Sequence, residues 1–111
     1  MADTEKLPAA ASIDAILQTD DLAPRPLEIP EWGVTVLIRG LSRAEYIALK
    51  EKSADDADVA DVLLLTTCMV EPKVNEEQAR RLLDEKSVGA VAKITQAIVE
   101  ASGLGDLFRQ G

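Results

Sequence analysis

The order of apolar and polar positions divides this chain into short segments of two different periods. After an Ala-rich opening, Met1 to Ala11, the stretch Ser12 to Thr19 sets Ile13, Ile16 and Leu17 on one face of a short helix, with Ser12 as N-cap. Asp20, Asp21 and Pro24 end it. The period then changes. "PLEI" and "VTVLIR" are apolar or β-branched runs that favour extended backbone, and "PEWG" between them carries turn residues. Pro30 biases Ile29 away from the helical region, and Gly33 adopts a positive φ without steric cost. This predicts a β-hairpin over about 25–39, with Val34, Val36 and Ile38 on one face and Thr35, Leu37 and Arg39 on the other. Leu37 breaks the strict alternation, a sign that part of the second face is covered.

Helical spacing returns at Ser42, which forms a capping-box pattern with Glu45. The helix behind it is expected to run to about Lys52 and to bury Ala44, Ile47 and Ala48, with Tyr46 or Leu49 at the margin. "SADDAD" reads as a loop. From Val59 to Val70 the pattern is apolar on most sides, which predicts a helix at the centre of the domain. Pro72 stops it. Asn75 caps "EEQARRLLDEK", and Ser87 caps "VGAVAKITQAIVEAS", where Val91, Ile94 and Ile98 continue with Val88 and Thr95 as one stripe. Gly103 is a natural helix stop. The expected architecture is α+β and mostly helical, a hairpin packed beside four to five short helices. Residues 1–11 are read as a leader, 12–104 as a single domain and 105–111 as a tail.

Composition narrows the function classes. The chain has 111 residues, 47% of them apolar, with one Trp, one Tyr and one Phe, so its core is built from Ala, Val, Ile and Leu, as in packed helices. A net charge of −8 opposes binding to a phosphate backbone or an anionic membrane, and no basic cluster exceeds the pair Arg80 and Arg81. Cys68 is the single cysteine, so no intramolecular disulfide forms and a reducing cytoplasm is the expected setting. No signal-peptide pattern and no eighteen-residue apolar run occurs.

There is no histidine, which excludes Ser-His and Cys-His catalysis and any zinc site that needs imidazole. Apolar neighbours mark Cys68 as a buried structural thiol. The acids Asp55, Asp56, Asp58 and Asp61 do not form an EF-hand loop, because Ala60, Asp61 and Thr67 stand where an oxygen ligand, a glycine and a glutamate are needed; they read as helix-start residues instead. Glu28 and Glu31 pair on paper, with no cleft or oxyanion donors beside them. No catalytic, cofactor-binding or metal-ligating residue is expected. What remains is contact chemistry, with Trp32, Tyr46, Leu107 and Phe108 as candidate partner-binding residues. For Trp32 the residues favour a lid over the hairpin's end, its N–H bonded to a carbonyl, over an exposed anchor.

The order of short motifs resembles the small tail assembly chaperones of long-tailed bacteriophages. It runs from Asp20 to Leu22, through the Pro-x-Trp-Gly turn at Pro30, Trp32 and Gly33, to the strand Val34 to Arg39 and the helix start Leu41 and Ser42. "CMVEP", Cys68 to Pro72, then resembles the family's link, and Leu83, Lys86, Ser87 and Ser102 to Leu104 its closing pattern. The link continues as "EPKVNEE", without the glycine and the apolar or aromatic residue common in such members. The resemblance implies a scaffold rather than a catalyst. Its partners would be the tape measure protein, kept soluble while tail tube subunits polymerise around it, and a frameshift-extended form of the same chain; a homo-oligomer is a separate expectation that the resemblance does not supply. The setting would be the cytoplasm of the bacterial host, with the protein absent from the mature virion. A structural virion component, such as a tail-completion or connector protein, and a generic acidic adaptor are the alternatives.

Overall fold

The computed structural model describes residues 11–104; Leu107 and Phe108 lie outside the described residues. In chain order the elements are α1 (Ile13–Gln18), β1 (Arg25–Ile29), β2 (Val34–Ile38), α2 (Arg43–Ser53), α3 (Ala57–Cys68), β3 (Met69–Glu71), α4 (Glu76–Glu85) and α5 (Val88–Ala101). The fold is the expected α+β one, mostly helical around a hairpin.

Local side-chain bonds set the helix starts. Ser12, Ser42, Asp56, Asn75 and Ser87 each accept a first-turn backbone N–H of the helix they precede. Ser42 with Glu45 and Asn75 with Gln78 do so reciprocally. At the far end of α5, Gly103 takes φ 77°, which lets its N–H reach the Glu100 carbonyl and the Leu104 N–H reach that of Val99, both at 3.0 Å.

β1, β2 and β3 form an antiparallel sheet in that order, with Ile29 opposite Val34 and Arg25 opposite Ile38. Gly33 closes the hairpin turn at φ 65°, its N–H donating to the Pro30 carbonyl at 3.1 Å. α5 packs on β1 and β2, while α3 packs on α2, α4, α5 and β3. Ile29, Ile38, Leu65, Ile94 and Ile98 are at most 2% exposed and form the centre of the core.

Four expectations are corrected. The central helix ends at Cys68 rather than Val70, because Met69 to Glu71 pair with β2 as a third strand. α2 is rotated relative to the expected face: Ala44 and Ile47 are exposed, whereas Tyr46 and Leu49 pack on the core. Five of its six positions from Ala44 to Leu49 are apolar or aromatic, so periodicity alone selects no unique stripe. Val88 is 86% exposed, since it occupies the first position of α5 and projects beyond the layer that α5 covers. In β2, Val36 and Ile38 are buried but Val34 is 47% exposed, because it opens onto the hollow between the sheet and the helix Glu76–Glu85, although Ile29 opposite it is fully buried.

The chain leaves β2 through a close backbone crossing. A Cβ on Gly40 would overlap the Ala101 carbonyl and lie 2.6 Å from the Ser102 nitrogen. The next N–H, of Leu41, donates to Ser102 Oγ at 2.7 Å, and that hydroxyl donates to the Ile98 carbonyl at 2.7 Å. Just before the crossing, Arg39 makes a bidentate pair with Glu45, both contacts 2.9 Å, and its backbone N–H donates to the Cys68 carbonyl at 2.9 Å. Glu45 also accepts the Ser42 N–H at 3.0 Å. Its carboxyl is held down to about 2, first by the Arg39 hydrogen bonds and also by the Ser42 backbone, against the opposing effect of partial burial.

Two outcomes follow for stability. Gly40→Ala is expected to cost about 3 kcal/mol or more in denaturant unfolding, since backbone must move to admit the methyl group. Gly33→Ala has open space and loses only about 1 kcal/mol to its positive φ, so the two variants separate crowding from conformation. For Glu45, the folded value of about 2 lies below the ordinary 4.5, so its contribution is complete above pH 4.5 and disappears as pH falls towards 2. The side chain is 35% exposed, and solvent screening reduces a nominal ~3 kcal/mol to about 1–2 kcal/mol. Wild type is therefore expected to exceed Glu45→Gln in stability by that amount at neutral pH, with the gap closing through this window in pH-dependent unfolding curves.

Candidate interaction site

The hairpin tip is fastened on one side and open on the other. Glu31 extends from the turn to Lys93 on α5, 2.8 Å away, and this partner lowers the Glu31 carboxyl below its ordinary range. Trp32, the next residue, is half-buried and packs against the core edge. Its indole forms one wall of a groove of about 590 Å³ between the sheet and α4. Val36 and Met69 lie at the floor, and the exposed Val34 extends the apolar surface towards the tip.

α4 supplies the opposite wall through its amphipathic spacing. Ala79 is buried and Leu82 partly buried on the inward face, while Arg81 and Glu85 pair along the outer face at 2.9 Å. Val74 adds apolar surface from the link, beside Pro72, whose peptide bond to Glu71 is cis. The rim carries Lys73, Arg81 and Lys86 against the single acid Glu85. Lys73 and Lys86 make no ion pair among the described residues, so the rim is positive in a chain of net charge −8.

Trp32 therefore combines the two sequence readings: it caps the hairpin end and also presents one side to solvent. Among the described residues its indole N–H has no hydrogen-bond partner, contrary to the carbonyl bond expected of a lid. Partial exposure lets water satisfy that donor.

Tyr46 is placed elsewhere. It lines a separate hollow of about 240 Å³ with Leu49, Leu64, Val99 and Leu104, and Lys50 Nζ stands 5.9 Å from its ring centroid. Trp32 and Tyr46 share no lining residue, so the structure does not bring the two candidates into one site. Leu107 and Phe108, the other two, are outside the described residues.

Nothing in the sequence marks Lys73, Val74 and Leu82 as groove residues. Val74 lies in a link with no periodicity, and its position beside Trp32 depends on β3, which three residues are too short to announce. The amphipathic pattern of α4 was visible, but not the partner of its inward face.

Cys68 is fully buried and burial pushes its thiol up to about 11. Asp61 is raised by burial and by Asp58, in an acidic hollow shared with Asp84 and Arg80. Among the described residues no group of three or more Cys, Asp or Glu is arranged to hold a metal ion, and no helix is long and apolar enough to cross a membrane. Comparison of the chain with protein-family models, curated proteins and solved structures finds no match.

A thiol reagent is expected to modify Cys68 only as fast as the fold opens, and in denaturant at the rate of a free cysteine. Rapid labelling of the native protein would show that the α3–β3 junction opens locally.

Proposed function

We propose that this chain acts by contact, as a tail assembly chaperone of a long-tailed bacteriophage. The observation that carries the reading is the groove built around the Pro30–Trp32–Gly33 turn, the same turn that anchors the ordered set of motifs from Asp20 to Leu104. An apolar floor between a sheet and a helix, with charge confined to the rim, suits the apolar stripe of an amphipathic helix. A tape measure protein offers such stripes repeatedly along its length. Several copies bound to one long client gain avidity from modest individual contacts. On this reading the protein works in the host cytoplasm, assists tube subunits to polymerise around its client, and is displaced before the virion is complete.

Co-expression with a helical tape measure fragment tests the proposal. The fragment is expected to move to the soluble fraction and to co-purify with the chain. Val34→Asp, at an exposed groove position, is expected to leave the melting temperature nearly unchanged and to reduce capture at least about tenfold. A fragment that stays insoluble and never co-purifies overturns the reading, as does equal capture by the Val34→Asp variant.

A further inference from the structure

Among the described residues, the apolar face of α1 has no partner. Ile13, Ile16 and Leu17 are 66%, 53% and 73% exposed, and no residue of α1 is buried. The other described residues give this face nothing to pack against, and helices of this length are stabilised mainly by what their apolar side packs against. The segment around it, "SIDAILQTDDL", carries three acids, Asp14, Asp20 and Asp21, and no base. Its complement lies on the same molecule: the Trp32 groove has an apolar floor open at Val34 and a rim of Lys73, Arg81 and Lys86 against one acid.

We propose that α1 of a second copy of this chain occupies the Trp32 groove. Ile13, Ile16 and Leu17 lie against Trp32, Val34 and Leu82, and Asp14 with the acids after the helix faces Lys73 and Lys86. Charge selects the occupant. Among the described helices α1 is the one with acids but no bases whose apolar side is left uncovered. Because each copy carries both an α1 and a groove, reciprocal exchange covers both apolar faces at once and closes the pair. The contact is small, so the association is of the weak, reversible class. It goes beyond the chaperone reading and does not depend on it, since no client enters the test.

Trp32 is the single tryptophan and lies in the groove, so its fluorescence reports occupancy directly. As the concentration of the purified full chain rises towards about 1 mM, its emission is expected to shift to the blue while sedimentation velocity shows monomer converting to dimer. Ile16→Asp with Leu17→Asp is expected to weaken dimerisation at least about tenfold and to remove the shift, with melting unchanged because α1 buries nothing. Lys73→Glu should weaken it more than Lys52→Glu, which changes net charge equally on exposed α2 surface outside the groove. Three results overturn the proposal: a monomer throughout this range, a dimer unaffected by the α1 substitutions, or a Trp32 shift that α1 controls independently of concentration. The last assigns the groove to the same copy's α1. A failure of client capture with dimerisation intact would count against the chaperone reading alone.

Discussion

The structure depends on one close approach, where the backbone leaving β2 crosses the C-terminal end of α5 at Gly40. Residues 61 apart in sequence meet there, through the Leu41 N–H and the Ser102 hydroxyl. No side chain fits between the two backbones, so the contact has little freedom to relax. It fixes how β2 lies on α5, which in turn places Ile38 and Leu41 in the core. Arg39, immediately before the crossing, converts that placement into the position of two more helices. Its guanidinium holds the first turn of α2 through Glu45, and its backbone N–H holds the last carbonyl of α3.

The groove inherits its shape from that arrangement. The hairpin is held at its base by the crossing and at its tip by the Glu31–Lys93 pair, so both ends are tied to α5. β3 is held in turn by β2. The sheet wall of the groove is thus fixed at several points. α4 forms the other wall but rests on α3 and α5, and it leaves Val34 at the tip exposed. An apolar surface left uncovered between two walls that both rest on α5 is a concave site that needs no rearrangement to form.

How much was legible in the sequence follows from the range of each interaction. Ser12, Ser42, Asn75 and Ser87 bond to backbone within three residues, so their helix starts could be read directly. The Pro30–Gly33 turn and the buried side of β2 at Val36 and Ile38 were equally local. β3 was not, because Met69 to Glu71 become a strand only by pairing with Leu37 and Ile38. The inward face of α2 was hidden by apolar residues on nearly all sides from Ala44 to Leu49, and the choice of Tyr46 and Leu49 is made by tertiary packing. For the site, Trp32 stood out as an isolated aromatic, but its groove partners come from an aperiodic link and from a helix whose neighbour only the folded chain reveals. The face of α1 follows from periodicity, whereas its exposure reflects the absence of a partner among the described residues, which no periodicity encodes.

Charge then decides how such a groove is used. A net charge of −8 repels copies of the chain from one another at distance, but at physiological salt that repulsion decays over about 8 Å. Within that range the local rim matters more than the total, and the rim is positive. On the proposed readings the same groove accepts a second copy's α1 and a client helix, so the two compete. α1 has six residues and presents an apolar stripe only about 9 Å long. A client helix with two further turns covers more of the floor from Val36 to Leu82 and displaces it. Self-association of this kind shields the apolar surface while no client is present, and its shortness keeps the groove available when one arrives.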